Sequence, residues 1–240
     1  MLGGTTEASE FARRLSDAGI AVVLSLAGRT ARPVVPTVDV RVGGFGGIAG
    51  LERYLQEAGV TAVIDATHPF AARMAANAAA AATAAAVPRL KLLRPGWSAR
   101  EGDRWTAWPT PTALAAALPA GARIFLAMGR QDLASFAGRS DCRFLLRTVD
   151  PLPAEILPAG ATAILGRGPF TLEDEEDLLR RHEIDLVVSR NAGGTGAAAK
   201  LTAARRLGLP VWLVERPAPP PGPLAATVDE AFAWARKLMS

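Results

Sequence analysis

Short apolar runs alternate along the chain with amphipathic segments of helical period, and glycine-rich or polar turns separate them. The runs are rich in Val, Ile and Leu without polar alternation, which is typical of strands buried on both faces of a sheet. They predict strands at 21–27, 38–42, 62–66, 90–93, 123–128, 143–147, 161–165, 185–189 and 211–214. The segments between them predict helices at 7–18, 48–58, 70–86, 112–118, 172–181, 196–207 and 229–238. Alternating βα units of this length indicate an α/β fold with mostly parallel, doubly wound sheets.

Nine strands are many for a single doubly wound sheet in 240 residues, so we predict two lobes, each with a mostly parallel sheet. The aperiodic stretch 95–111 is the expected crossing. We therefore assign residues 1–108 to a first lobe, 109–216 to a second lobe, and 217–240 to a proline-rich linker with a final helix. Only Met1 and Leu2 precede the first glycine turn, so we expect either that the first strand is very short or that the sequence starts too late.

Composition narrows the function classes. Half of the residues are hydrophobic and 21% are charged, which argues against extended disorder. One cysteine and two histidines exclude a disulfide scaffold and a zinc finger, and we predict no metal site. Three of the 27 basic residues are lysines, leaving 24 arginines that form no dense run, so nucleic acid is not an expected partner. The first residues lack the features of a signal peptide and the longest apolar stretch is too weak for a membrane span, so we expect a cytoplasmic protein.

The first candidate site is the turn that contains Gly3, Gly4, Thr5 and Thr6. Its glycines permit close approach of the backbone to a ligand, and the N–H groups at the start of the following helix favour a phosphate. The same residues, followed by Glu7, also fit a simple helix N-cap with its box residue. The sequence leaves both interpretations open.

The second candidate site follows the strand at 21–27 and contains Ser25, Gly28 and Arg29. An NAD-specific fold usually has Asp or Glu here, yet no carboxylate occurs between Asp17 and Asp39. An arginine without a neighbouring anion suits the 2′-phosphate of NADP, because guanidinium binds phosphate in a bidentate manner. The alternative is that Arg29 is an ordinary surface arginine.

A third candidate is the Gly-Gly-Phe-Gly-Gly segment at 43–47. Four glycines around one aromatic residue are costly in backbone entropy, which favours a ligand loop over a routine turn. Gly44, Phe45 and Gly46 are therefore candidate cofactor contacts.

The strand at 62–66 leads into Thr67 and His68 ahead of a helix that begins near a proline. Thr67 is a further candidate cofactor contact. His68 suits a general acid, a donor to the substrate, or a helix-terminal cap, and its chemistry alone favours the cap.

In the second lobe the pattern of strand, glycine and arginine occurs three times, at Arg130, Arg167 and Arg190. Asn191 follows the third arginine, and Lys200 begins the next helix. Because these residues come from the carboxyl edge of one predicted sheet, we expect them to converge on one crevice and bind an anion. The acidic run at 173–177 is expected to be a solvated first turn of a helix.

Seven segments, in this order, resemble the precorrin-6A reductase family of cobalamin biosynthesis: Gly-Gly-Thr-Thr-Glu-Ala at 3–8, Ala-Gly-Arg-Thr at 27–30, Gly-Gly-Phe-Gly-Gly at 43–47, Asp-Ala-Thr-His-Pro-Phe-Ala at 65–71, Gly-Arg-Gln at 129–131, Arg-Gly-Pro-Phe at 167–170 and Ser-Arg-Asn-Ala-Gly-Gly at 189–194. The resemblance implies an enzyme of two Rossmann-like lobes with mostly parallel sheets and a ligand cleft between them. It would use NADPH, bound by residues 1–108, to reduce a double bond of a polycarboxylate tetrapyrrole, bound by residues 109–216, giving precorrin-6B.

On this basis the candidate residues fall into two sets. The expected cofactor contacts are Gly3, Gly4, Thr5, Thr6, Ser25, Gly28, Arg29, Gly44, Phe45, Gly46 and Thr67, and the expected substrate contacts are His68, Arg130, Arg167, Arg190, Asn191 and Lys200. His68 is also the candidate catalytic proton donor. Two alternatives stay open: another NADP-dependent reductase, or a non-catalytic NADP-sensing module.

Overall fold

The computed structural model of the chain describes residues 1–28, 38–166 and 168–238. The strands are β1 (Val23–Leu26), β2 (Asp39–Val42), β3 (Val63–Asp65), β4 (Arg89–Leu92), β5 (Trp105–Trp108), β6 (Arg123–Ala127), β7 (Arg143–Thr148), β8 (Thr162–Leu165), β9 (Leu186–Arg190), β10 (Val211–Val214) and β11 (Leu224–Ala225). The helices are α1 (Thr6–Asp17), α2 (Ile48–Glu57), α3 (Ala72–Ala84), α4 (Pro111–Ala117), α5 (Leu172–Arg181), α6 (Ala199–Arg206) and α7 (Val228–Lys237). The predicted α/β class with parallel sheets is confirmed.

The chain divides into two compact units, one formed by Met1–Pro95 with Pro217–Ser240 and the other by Gly96–Arg216. The division differs from the expected lobes in two places: the first boundary lies after Pro95 rather than after residue 108, and residues 217–240 belong to the first unit. Strand β5 lies in the sheet of the second unit because it pairs with β10. The final segment joins the first unit because β11 pairs with β4 and α7 packs in the same core as α1.

In the first unit all strands are parallel, and Leu2 takes the place of a first strand. This residue bridges Ser25 of β1 on one side and Asp65 of β3 on the other. The resulting order is β2, β1, Leu2, β3, β4, β11. Successive strand residues point to opposite faces, so Ile64 packs with α1 and α7 while Val63 packs with α2 and α3.

The second unit contains one parallel sheet of order β5, β10, β9, β6, β7, β8. On one face Phe125 and Val187 pack in a core with residues of α5 and α6. The alternate strand residues point to the other face. There the ring centre of Phe144 lies 5.8 Å from that of Phe136, which belongs to the 3₁₀ segment Arg130–Phe136. In the described part of the chain, no helix combines the length and apolarity needed to cross a membrane.

Candidate functional site

The strand order of the first unit reverses at Leu2. From this central position the chain proceeds outward through β1 and β2 and then returns to form β3 and β4 on the other side. In open α/β sheets, ligands bind beyond the carboxyl ends of the strands at such a switch point. The turn after Leu2 and the segment after β3 flank this point, and Thr5, Thr67 and Arg94 line one small cavity there.

The two glycines of the turn have different surroundings: Gly3 packs closely against the neighbouring strand, and Gly4 is open. A Cβ on Gly3 would lie 2.5 Å from Cδ1 of Leu24, so this position accepts only glycine without rearrangement. Gly4 has φ +115°, and a Cβ there would meet no atom within 4 Å. The backbone at Gly4 is therefore accessible to a ligand at the start of α1, where the expected phosphate site lies.

Thr5 is the N-cap of α1, as one of the two interpretations requires. Its Oγ1 accepts a hydrogen bond from the N–H of Ala8 at 3.1 Å and donates to the carbonyl of Ala66 at 2.9 Å. Glu7 does not complete a capping box, because its carboxylate pairs with Arg94 at 2.6 Å. Thr6 is the first helical residue. The cap and a phosphate site are compatible, because Thr5 satisfies only one of the N–H groups at the helix start.

Ser25 and Gly28 lie at the carboxyl end of β1, and Arg29 lies outside the described residues. Ser25 is nearly buried and its Oγ accepts a hydrogen bond from Nη1 of Arg41 at 3.3 Å. Gly28 has φ +69°, and a Cβ there would lie 3.1 Å from Val42. The arginine that the structure places beside Ser25 is thus Arg41, which the sequence analysis did not single out.

Arg41 organises the glycine-rich loop after β2. Its Nη1 donates to the carbonyl of Gly43 at 2.8 Å and its Nη2 to the carbonyl of Gly44 at 2.7 Å. The guanidinium lies over the ring of Phe45, with Cζ 3.8 Å from the ring centre. Gly46 has φ +79°, which favours glycine. Gly44, Phe45 and Gly46 therefore form one ordered loop at the same sheet edge as Ser25.

A buried ion pair that the sequence analysis missed lies at the carboxyl ends of β3 and β4. Lys91 Nζ is 3.0 Å from Oδ1 of Asp65, and both side chains are almost completely buried. Burial lowers the pKa of Lys91, and the neighbouring Asp65 opposes that shift. The register pairs Asp65 with Lys91. Strand β3 is otherwise apolar and β4 alternates Arg89 and Lys91 with leucines, so charged residues within buried strands are the signal that could have revealed the pair.

This ion pair holds the segment that carries Thr67 and His68. Oδ1 of Asp65 accepts hydrogen bonds from the N–H of Thr67 at 3.1 Å and from its Oγ1 at 2.6 Å. Lys91 Nζ also donates to the carbonyl of Thr67 at 3.2 Å. His68 comes next in the chain, half-buried, and its Nδ1 accepts a hydrogen bond from the N–H of Phe70 at 3.3 Å. This local contact fits the cap interpretation, and a catalytic role of His68 stays a prediction.

In the second unit, Arg130 and Arg190 lie at neighbouring strand ends. Arg130 is exposed and begins the 3₁₀ segment after β6, and Arg190 ends β9. Nη2 of Arg190 is 2.5 Å from the carboxylate of Asp132. A Cβ on Gly129 would lie 3.2 Å from Nη1 of Arg190, so the glycine leaves room for this guanidinium. Arg167 lies outside the described residues.

Lys200 and Asn191 belong to a different cluster, built around Trp97. The Asn191 amide accepts from the N–H of Trp97 at 2.7 Å and donates to its carbonyl at 3.0 Å. Lys200 Nζ lies 4.8 Å from the Trp97 ring and donates to the carbonyl of Ala197 at 2.6 Å. Burial lowers the pKa of Lys200 to about 8, although Glu175 opposes that shift.

The expected convergence of Arg130, Arg190 and Lys200 is not observed. Lys200 belongs to α6, which packs on the face of the sheet that carries Val187. Arg190 is three residues further along β9 and therefore points to the opposite face, towards Asp132. The carboxyl edge of the second unit thus has two separate sets of basic residues, Arg130 with Arg190 on one face and Lys200 on the other. Each of these residues stays a predicted substrate contact.

The acidic run at 173–177 is not uniformly solvated, as the sequence analysis expected. Glu175 is 1% exposed, and its Oε1 lies 2.6 Å from Nη2 of Arg147. Cζ of Arg147 in turn lies 3.4 Å from the centre of the Phe170 ring. Arg147 is two residues beyond Leu145 in β7 and therefore points to the same face of the sheet, on which α5 packs. The buried Glu175 carboxylate lies on that face.

The second unit also has a cavity of about 330 Å³ at the opposite, amino edge of its sheet, lined by Pro119, Asp185 and Trp212 among others. The carboxyl edge is where open parallel sheets bind ligands. None of the sequence-predicted site residues lines this cavity, so we assign the site to the carboxyl edge.

Comparison with known proteins places these features in a family. The family model described as precorrin-6x reductase CbiJ/CobK matches residues 1–236. A protein of Rhodobacter capsulatus named precorrin-6A reductase is 50% identical over 235 residues, covering 98% of this chain and 94% of that protein. A cobalt-precorrin-6A reductase of Priestia megaterium is 26% identical over 242 residues, covering 96% of this chain and 94% of that protein. A solved structure titled CobK precorrin-6A reductase superposes with a TM-score of 0.94 at 50% identity, covering 99% of this chain and 95% of that chain.

Proposed function

This chain belongs to the precorrin-6x reductase family, and from that premise we propose that it reduces precorrin-6A to precorrin-6B with NADPH in cobalamin biosynthesis. As a member of that family it is an oxidoreductase, and its reaction indicates a nicotinamide cofactor. The choice of NADPH and the identity of the substrate are our proposal. A cytoplasmic location stays a prediction of the sequence.

The observation that carries the proposal is the glycine turn at the switch point, in a chain whose first 236 residues match a reductase family. The accessible backbone at Gly4 and the start of α1 suit the pyrophosphate of a dinucleotide. The chain from residue 18 to 38 contains no carboxylate, which supports NADPH over NADH because nothing there would repel a 2′-phosphate.

Nicotinamide, when bound, supplies a hydride to one carbon of the conjugated macrocycle, and a proton completes the reduction at another atom. The residues of this chain would orient both reactants, and the proton would come from a side chain or from solvent. We assign the proton to His68, because it follows β3 beside the switch point. Its Nδ1 accepts from Phe70, so Nε2 carries the proton of the neutral ring.

The substrate is proposed to lie at the carboxyl edge of the second unit. Arg130 is exposed there and Arg190 is anchored beside it by Asp132, which suits the many carboxylates of a precorrin. We propose the metal-free macrocycle, since the relative named precorrin-6A reductase is 50% identical and the one named for the cobalt form is 26% identical.

Anaerobic assays with the purified protein test this function. We expect no NADPH consumption without a tetrapyrrole and rapid consumption with precorrin-6A, whose product should be two hydrogens heavier by mass spectrometry. Turnover should be slower with cobalt-precorrin-6A, or when NADH replaces NADPH. NADPH binding without turnover of either macrocycle would instead support the sensing module, and turnover of an unrelated acceptor would support another reductase.

A further inference from the structure

Arg41 carries a positive charge that no carboxylate of the described residues neutralises within 4 Å. Every ion pair in that part of the chain involves another basic side chain. The guanidinium is half-buried, and the partners given above for it are a hydroxyl, two carbonyls and an aromatic ring. Burying a cation without an anion is costly, so this position favours an anionic ligand.

The location of Arg41 identifies which anion. The register of the parallel pair places Arg41 directly opposite Ser25, beyond which β1 ends. Strand β1 is next to Leu2 and the glycine turn, so its carboxyl end corresponds to the position where dinucleotide folds bind the adenosine ribose. An acidic residue there selects the ribose 2′-hydroxyl, whereas an arginine accommodates a 2′-phosphate.

The guanidinium is also held ready for that contact. Arginine has five N–H groups, and among the described residues three of them are used, by Ser25, Gly43 and Gly44, which leaves Nε–H and one Nη2–H for other partners. The Phe45 ring lies against the guanidinium, with Cζ 3.8 Å from the ring centre, and this contact restricts its movement. A preorganised donor loses little conformational freedom when it binds a phosphate oxygen.

We propose that Arg41, with Ser25, binds the 2′-phosphate of NADPH and determines the preference for NADPH over NADH. This inference rests on the proposed function and makes it more specific. It assigns the phosphate contact to a strand residue whose position is fixed by the register of β1 and β2, and it is independent of any contribution from Arg29.

The rival explanation is that Arg41 only orders the glycine loop. A loop-ordering role affects the two cofactors equally, because they share every group except the 2′-phosphate. The ratio of the two dissociation constants therefore separates phosphate recognition from a merely structural contribution.

The test measures dissociation constants for NADPH and NADH by cofactor fluorescence in the whole protein and its variants. Arg41→Met should weaken NADPH binding roughly 10- to 100-fold, the range for a lost charge-assisted hydrogen bond, and change NADH binding less than about twofold. Arg41→Lys should recover part of the loss, because ammonium lacks the planar fork. Ser25→Ala should give a smaller loss that is again confined to NADPH.

Arg53→Met is the matched control, since Arg53 is an exposed arginine of the neighbouring helix α2 and its removal changes the net charge equally. Arg53→Met should leave the dissociation constants for NADPH and NADH within about twofold of the wild-type values. Circular dichroism checks that each variant is folded, and the NADPH to NADH ratio of Arg41→Lys and Ser25→Ala decides the matter if Arg41→Met does not fold.

Equal losses for both cofactors, or an unchanged ratio in Arg41→Met, would overturn the inference while leaving NADPH-dependent reduction intact. A wild-type protein that reduces precorrin-6A but prefers NADH would overturn the proposed cofactor and this inference together. A wild-type protein that binds NADPH selectively through Arg41 but does not reduce precorrin-6A would support the inference and refute the proposed reaction.

Discussion

Replacing Lys200 with methionine should stabilise the protein at neutral pH. The lysine is 4% exposed in the first turn of α6, with its ammonium against the Trp97 ring and the carbonyl of Ala197. Burial lowers its pKa to about 8, and Glu175 only partly offsets that shift. Methionine retains most of the apolar side chain and removes the buried charge.

The size of the effect follows from the two pKa values. The folded value of about 8 lies below the ordinary value of 10.5, so between these pH values the unfolded chain binds more protons than the folded one. The free energy of unfolding therefore rises with pH across that window, and below pH 8 the full penalty of the buried charge applies. At roughly 1.4 kcal/mol per pKa unit the penalty is about 3 kcal/mol, and losing the hydrogen bond to Ala197 offsets about 1 kcal/mol of the gain.

Urea unfolding at pH values from 7 to 10.5 measures the prediction. Four of the five tryptophans lie in residues 96–216, so fluorescence reports chiefly on the unit that contains Lys200. Lys200→Met should be about 2 kcal/mol more stable than wild type at pH 7, and the gain should disappear as the pH approaches 10.5. Arg143→Met, at an exposed position of β7 in the same unit, is the control and should show no such trend.

A Lys200→Met variant that is less stable than wild type at pH 7, or whose difference from wild type does not change with pH, would refute this reasoning. If Lys200 also contacts the substrate, the same variant should show a raised KM for the tetrapyrrole together with the gain in stability.

Three further predictions follow from the described sites. Lys91→Met leaves the fully buried Asp65 without its cation and should lower the free energy of unfolding by about 3–5 kcal/mol. Adding Asp65→Asn should restore most of that loss, as measured by urea unfolding. A Lys91→Met variant as stable as wild type would contradict the stabilising role of the ion pair. Gly4→Val should abolish NADPH binding in calorimetry. Because valine is strained at φ +115° the variant should also unfold at lower urea, while circular dichroism should still show a folded protein; retained affinity would reduce the turn to a helix cap. Arg190→Ala should raise the KM for precorrin-6A and leave NADPH affinity within about twofold, or about 0.4 kcal/mol; loss of NADPH affinity instead would remove Arg190 from the substrate site.

The regular elements of the fold could be predicted because most of them bury a continuous apolar face. Every predicted strand and helix has a counterpart in the structure, with ends shifted by a few residues. Strand β5 was missed because it is an edge strand whose central residues Thr106 and Ala107 are exposed, so it lacks an apolar run. Its pairing partner β10 lies about a hundred residues further along the chain, and β11 has only two residues.

The sequence could point to the glycine turn as a candidate ligand site, because its spacing and position ahead of a helix are local features, and its ligand stays a prediction. The contacts of Arg41 and Lys91 could not be predicted in this way, because each is defined by a partner on another strand: Ser25 in one case and Asp65 in the other. Such partners become neighbours only when the parallel register is known. A charged residue near the end of an apolar strand is the remaining local signal.

The expectation of one cationic crevice was wrong for a geometric reason. Arg190 is the last residue of β9 and Lys200 follows ten residues later, but alternation along the strand turns Arg190 to one face and the crossover to α6 brings Lys200 to the other. Position at a sheet edge therefore did not determine which side chains meet.

Transfer of deuterium from the cofactor to the macrocycle tests the central claim most directly. NADPH labelled with deuterium at C4 of the nicotinamide, on one face or the other, is incubated anaerobically with the protein and precorrin-6A. We predict that one labelled form gives a product carrying a single deuterium and that the other gives an unlabelled product. Precorrin-6B that carries no deuterium from either form would contradict direct hydride transfer between NADPH and the tetrapyrrole on this protein.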